Sequence, residues 1–274
     1  RVMPLFPYLF WSARLRSFGA PECFICAKPT DGALCRSCMA AFAMLEAEKP
    51  VFRLDGAATG ENADHAALVC RFLYSYEYDP VKKLLFYLKR YPDRLAVSFF
   101  AEKLIGLLPE ALKSEKTLYV NIPRSHRGRS DYGFDQGALL ASETARMISR
   151  RISLSETGKE AYVRYANCLA RRPFGQVQKK LNAKQRFANQ SGRFYRRPFL
   201  RRLPWTPAHI VIVDDVITTG ASVLAAARIL HGAFPAADIS ALSLAAVCAG
   251  RKCYTEKESY RKEKEEKNAC EKNA

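Results

Sequence analysis

Acidic residues are scarce in this 274-residue chain. Asp and Glu number 27 against 44 Lys and Arg, a formal net charge of +17. An excess that large points to a polyanionic partner or to phosphorylated ligands. A long apolar run is missing too. The apolar segment at 2–13, VMPLFPYLFWSA, is short and holds two prolines, so it cannot span a bilayer and no membrane span is expected. No small-residue cleavage pattern follows it before Cys23, which argues against a secretory signal and for a segment packed on the domain or on a partner. There is no internal repeat, which excludes a stacked-repeat architecture. Apolar residues nevertheless make up 49% and aromatics 11%, so most of the chain should fold, as one α/β domain with a small appendage.

Cysteine is present in an odd number, nine, and its spacing matters more than its count. The stretch CFICAKPTDGALCRSC places Cys23, Cys26, Cys35 and Cys38 in a C-x2-C-x8-C-x2-C array. Each C-x2-C knuckle turns two thiolates toward one point, and two knuckles complete a tetrahedron around Zn2+. The intervening KPTDG is turn chemistry that folds one knuckle back on the other. A pair of disulfides is the competing arrangement. It fits poorly with Cys70, Cys168, Cys248, Cys253 and Cys270 scattered through an ordinary large chain. With four protein ligands and no open position, the zinc would be structural, and reduced thiols imply a cytoplasmic protein.

The remainder divides by composition. Residues 1–45 hold the apolar segment and the four-cysteine zinc finger, 46–66 are polar and read as a linker, 67–250 form the main domain, and 251–274 are mixed-charge and apolar-poor, expected as a frayed helix or disorder. Within the main domain, 81–108 carry helical periodicity split by Pro92, TLYVNI at 117–122 reads as a buried strand, and 136–151 as an amphipathic helix. Between them, 124–135 (RSHRGRSDYGFD) reads as a loop. A strand at 209–213, a helix at about 221–232 and a strand at about 238–247 continue the alternation. Alternating β and α units predict a mostly parallel sheet with helices on both faces.

Residues 211–222, VIVDDVITTGAS, carry the most chemistry. The strand should deliver its end to the crevice where open α/β sheets bind ligands. Gly220 permits unusual backbone angles, and the amides from Thr218 through Thr219, Gly220 and Ala221 to Ser222 can cradle a phosphate at a helix start. Asp214 and Asp215 can accept from vicinal hydroxyls or hold hydrated Mg2+. A ribose 5-phosphate has a phosphate at one end and a diol one sugar-width away. No Gly-Lys-Thr follows, so this is not a Walker loop, nor is it a G-x-G-x-x-G turn.

Between Arg171 and Arg202 there is no Asp or Glu at all. Arg171, Arg172, Lys179, Lys180, Lys184, Arg186 and Arg193 are the candidate nucleic-acid cations, interleaved with Phe174, Phe187, Phe194, Tyr195 and Phe199. Cations that track a backbone and aromatics that stack on bases suit a sequence-tolerant binder of single-stranded DNA. A mobile basic cover over a bound substrate, or a solvated face with buried Phe, are the other readings of the same pattern.

VIVDDVITTGAS resembles the phosphoribosyl pyrophosphate (PRPP) motif of type I phosphoribosyltransferases. Three further segments resemble one branch, the ComF family linked to competence and DNA uptake. They are the four-cysteine array, the stretch VNIPRSHRGRSDYGFDQGALLA at 120–141, and the series Gln178, Leu181, Arg186, Asn189 and Phe194. The resemblance implies a type I phosphoribosyltransferase-like fold, a PRPP ligand with Mg2+, and a DNA-uptake helicase or related competence protein as partner. It implies that Asp214 and Asp215 hold the ribose hydroxyls, as the catalytic candidates, and that 218–222 hold the 5-phosphate. Arg124, Ser125, Arg127 and Arg129 would then lie near the pyrophosphate, with His126 among them. Three positions depart from the family: Tyr132 stands where Arg is usual, Asp135 where Asn is usual, and Gly175 near where Thr is common. A phenol and a carboxylate make that loop less welcoming to pyrophosphate. Three functions stay open: a phosphoribosyltransferase with an unidentified acceptor, a DNA-handling protein with PRPP as regulator or structural ligand, and a zinc-dependent adaptor.

Overall fold

The computed structural model describes residues 22–54, 67–114, 116–154, 162–172, 194–197, 203–255, 257–259 and 261. In chain order these supply α1 (Arg36–Ala43), β1 (Val51–Leu54), β2 (Leu68–Ser75), α2 (Asp79–Arg90), α3 (Arg94–Gly106), α4 (Ala111–Ser114), β3 (Thr117–Asn121), α5 (His126–Tyr132) and α6 (Gln136–Leu154). There follow β4 (Val163–Tyr165), β5 (Leu169–Arg171), β6 (Phe194–Arg196), β7 (His209–Ile217), α7 (Ala221–His231), β8 (Asp238–Ala246) and β9 (Cys253–Tyr254). Seven strands make one mixed sheet in the order β4-β3-β7-β8-β2-β1-β9. The first five are mutually parallel. β1 runs antiparallel to β2, and β9 antiparallel to β1.

The central strands are near-continuous apolar runs because the sheet is covered on both faces. Ile210, Val211, Ile212 and Val213 of β7 are all fully buried, and they alternate between two cores. One core joins Val211 and Val213 to Tyr119, Leu242 and the inner faces of α2, α3 and α6. The other joins Ile210 and Ile212 to Leu118, Val120, α7 and the two-stranded β5–β6 ribbon. α2 buries Val81, Leu84, Leu85 and Leu88 and carries a proline in its first turn, where the missing N–H costs nothing. Its end comes just before Pro92. Asp93 then caps α3 by accepting from Leu95 N at 2.9 Å and Ala96 N at 3.2 Å.

Several expectations are revised. β7 does not stop at Val213 but runs on to Ile217, so the two acids lie within a strand. Pairing holds them there: Asp214 faces Ser243 and Val216 faces Ala245 on β8. The stretch expected as a linker is part of the sheet at its start. Ala47 N donates to Leu73 O at 2.8 Å, and VFRL at 51–54 forms β1 because its apolar residues are buried against β2. Residues 55–66 lie outside the described residues. The expected tail begins as structure too, since Cys253 pairs with Phe52; 262–274 lie outside the described residues. The segment 124–135 is not all loop, for Ser125 caps the short helix α5 by accepting from Gly128 N at 3.1 Å. β2 shows no clean alternation in sequence because it is buried on both faces.

The cysteine-rich segment is not a separate appendage. Phe24 stacks on Tyr87 at 5.3 Å and meets Phe100 edge-on at 5.7 Å, and Phe42 packs on Tyr74. Each such buried ring contributes about 1.5–3 kcal/mol, so this segment and the main domain stabilise each other. Residues 2–13 lie outside the described residues. No helix among the described residues is long and apolar enough to cross a membrane.

The topology fixes where a ligand can sit. After β3 the chain leaves through α6, on one face, to reach β4; after β7 it leaves through α7, on the opposite face, to reach β8. β3 and β7 are neighbours, so their carboxyl ends meet at a switch point, the usual ligand position of open α/β sheets.

Candidate functional site

Asp214 and Asp215 lie near the carboxyl end of β7, at that switch point. Asp215 is 7% exposed, yet its carboxylate is well supplied with donors. Its Oδ2 accepts from Gln136 Nε2 at 2.9 Å and pairs with Lys89 Nζ at 3.1 Å, while its Oδ1 accepts from Val216 N at 2.9 Å. Asp214 Oδ1 accepts from Asp215 N at 2.9 Å. Burial, and then the negative charge of Asp215, push the Asp214 carboxyl well above the usual carboxylate range. Gln136 is itself buried, and among the described residues its Oε1 has no hydrogen-bond partner. A largely buried acid pair with one neighbouring cation and a spare amide oxygen leaves hydrogen-bonding capacity at this point.

Next along the chain, Thr218 and Thr219 are exposed, and Gly220 adopts the left-handed conformation with φ +79°. Thr219 Oγ1 accepts from Ala221 N at 3.4 Å, and Ser222 stands in the first turn of α7. That turn carries no acidic residue, which leaves its backbone N–H groups electropositive. Arg251 closes the turn from outside. Its guanidinium donates to Thr218 O and to Val247 O, and it lies 4.7 Å from the centre of the Phe52 ring.

The loop after β3 is held differently from what the sequence suggests. Arg124 Nη1 donates to Lys89 O at 3.1 Å and to Phe134 O at 3.4 Å, and its guanidinium lies 4.4 Å over the Tyr132 ring. Arg124 therefore holds the loop together rather than standing open to a pyrophosphate. Asp135 Oδ2 accepts from Arg124 N at 2.8 Å, while its Oδ1 accepts from Ala138 N at 3.2 Å at the start of α6. Ser125 is the cap of α5, as above. Arg129 is partly exposed with no side-chain partner among the described residues. The side chains of His126 and Arg127 lie outside the described residues.

The four cysteine sulfurs lie within 4.8 Å of one another, with Cys26 and Cys35 Sγ 3.6 Å apart. Four thiolates about 2.3 Å from one tetrahedral ion would stand ~3.8 Å apart, so these residues fit a single metal. Local backbone builds the two knuckles. Ala27 takes φ +57°, with its N–H donating to Cys23 O at 2.8 Å; Cys35 precedes α1 and Cys38 lies in its first turn. Burial alone would raise the Cys23 thiol, but hydrogen bonds from the Cys35, Cys26 and Ile25 backbones outweigh it and bring the pKa to about 6. Backbone donation from Cys38 lowers Cys35, whereas burial raises Cys38. Among the described cysteines none forms a disulfide.

The acid-free stretch is described only at its ends. Arg171 pairs with Phe194 across the β5–β6 ribbon, so the chain leaves and returns at one place. Arg172 is exposed and Arg171 lies 5.7 Å from the Phe194 ring centre. Phe194 itself is 4% exposed in the core beneath α7, so it packs and cannot stack on a base; Tyr195 is exposed. Lys179, Lys180, Lys184, Arg186 and Arg193 lie outside the described residues, as do Phe174, Gly175, Phe187, Phe199 and the 178–189 part of the family-like series.

No protein-family model matches this chain, and no curated protein matches it either. The site residues that the sequence does not single out are Lys89, Gln136 as a partner of Asp215, and Arg251. Lys89 is one of many cations in a helix, and Arg251 falls in a stretch whose composition reads as tail. Only the tertiary packing of α2, α6 and the segment before β9 around the end of β7 identifies them.

Proposed function

We propose that this is a ComF-like protein of DNA uptake that binds a PRPP-type ligand with Mg2+ at 211–222, handles single-stranded DNA through its basic surface, and carries one structural Zn2+ on Cys23, Cys26, Cys35 and Cys38. One observation carries the ligand reading. A largely buried acid pair stands beside a glycine-centred turn at a helix start, at the switch point between β3 and β7. In this reading Asp214 and Asp215 take the ribose diol and its metal, and the 218–222 amides and hydroxyls take the 5-phosphate. The +17 charge and the acid-free stretch support the DNA partner. Zinc is supported by an all-thiolate set with no open position. The cytoplasm is the compartment that suits reduced thiols.

Active phosphoribosyl transfer is the second reading. It is favoured by the acid pair and its charged lysine, and weakened by Arg124 being committed to the loop. An adaptor role fits less well, because Phe24 and Phe42 are buried in the main core rather than presented to a partner. The deciding experiment titrates PRPP and Mg2+ into the wild type and Asp214→Ala/Asp215→Ala, with and without single-stranded DNA. Binding in the wild type that is lost in the variant supports the phosphoribosyl site, and release of pyrophosphate on turnover would make the protein an enzyme. Salt-sensitive DNA binding without PRPP binding would leave only the nucleic-acid role.

A further inference from the structure

We propose that Lys89 is the cation that takes the diphosphate end of the ligand, held ready by its ion pair with Asp215; the proposal rests on the phosphoribosyl-ligand reading above. The ammonium lies 3.1 Å from Asp215 Oδ2, and the side chain remains 39% exposed. It is thus both charged against the acid pair and open to the crevice. Its backbone is fixed: Arg124, from the loop after β3, donates to Lys89 O. The loop that should face a diphosphate therefore commits its arginine to positioning Lys89.

The direction of the ligand follows from the two ends of the site. With the 5-phosphate at 218–222 and the diol at the acids, the rest of the sugar extends toward the β3 side of the crevice, where Lys89, Gln136 and Arg124 converge. A lysine on a four-carbon stem is a mobile point charge and exchanges partners readily. A diphosphate offers it more negative charge than one carboxylate does. Once Lys89 moves across, Asp215 keeps its bond from Gln136 Nε2 and gains a free lone pair for a hydroxyl or for hydrated metal. Diphosphate capture and release of Asp215 become one event. In the simpler alternative, Lys89 only neutralises Asp215, and every ligand of the site should feel its loss equally.

The test compares Lys89→Met, Lys89→Gln and Lys89→Arg with wild type by calorimetric titration of Mg2+ with ribose 5-phosphate and, separately, with PRPP. Urea midpoints control for folding. The expected result is ribose 5-phosphate affinity within about twofold of wild type for Met and Gln. PRPP affinity should fall roughly tenfold to a hundredfold, the size of one charge-assisted contact, and recover in part with Arg. Equal losses for both ligands, or no loss for PRPP, would overturn the proposal. Failure of the wild type to bind either ligand would instead strike the phosphoribosyl reading, and this proposal with it.

Discussion

Leu54 packs so closely against Gly220 that a β-carbon on the glycine would lie 2.6 Å from Leu54 Cδ1. The antiparallel strand β1 thus buttresses the glycine turn between β7 and α7. Gly220→Ala meets two obstacles, the φ of +79° and the leucine. It should cost about 1–3 kcal/mol, seen as a lower urea midpoint with an unchanged slope. Pairing it with Leu54→Ala should cost less than the sum of the two single changes, since the clash is shared. Additive losses would show that the leucine is not what restricts the turn.

Asp214 makes stability depend on pH. Burial and the charge of Asp215 raise its folded pKa above the unfolded value of about 3.9, so the folded state holds the proton more tightly. Its contribution is then fully present below that unfolded value and is lost as pH rises through the raised folded value. The slope is at most about 1.4 kcal/mol per pH unit. Urea midpoints without added Mg2+ from about pH 4 to about pH 8 should show this fall, and Asp214→Asn should flatten it. A profile that is the same in both proteins would remove Asp214 as its source.

The sheet and the acid pair were legible because they follow from local signals. An apolar run ending in two acids and a Thr-Thr-Gly turn can be read without any partner, as can helices with apolar positions at helical spacing. What stayed hidden depends on residues distant in the chain. VFRL at 51–54 is too short and too close to polar sequence to announce a strand, and only pairing with β2 on one side and β9 on the other makes it one. Lys89 and Asp215 are brought together by the packing of α2 beside β7, which no spacing encodes. The extension of β7 through Asp214 and Asp215 was missed because acids disfavour strands. β8 supplies the ladder, and for Asp215 Gln136 supplies a hydrogen bond and Lys89 a countercharge that overcome this.

Metal removal should reach beyond the cysteine segment. The knuckles hold Phe24 against Tyr87 and Phe100, so loss of the ion loosens the packing of α2 and α3 as well. Cys35→Ser should lose the metal measured by elemental analysis and lower Tm, by roughly 2–4 °C for each kcal/mol lost in a domain of this size. A strong chelator should do the same to the wild type and add nothing to the variant. Retention of full metal content in Cys35→Ser would remove that thiolate from the ligand set.

Tyr132 and Asp135 both serve Arg124. The phenol ring underlies its guanidinium, and the carboxylate accepts its backbone N–H. The two side chains therefore fix one arginine from different sides, and Asp135→Asn separates their effects. Asn has a single acceptor oxygen. It can still cap α6 through Ala138 N, because Asn caps helices as well as Asp does. Its amide nitrogen would then face the Arg124 N–H, donor against donor. The loss should be about 1–3 kcal/mol in urea denaturation, with amide exchange at Arg124 accelerated and α6 protection kept. Asp135→Ala should lose the cap as well and fall further. A neutral Asp135→Asn would mean that Tyr132, Phe134 and Lys89 suffice to hold Arg124, and Tyr132→Ala should then cost more than Asp135→Asn.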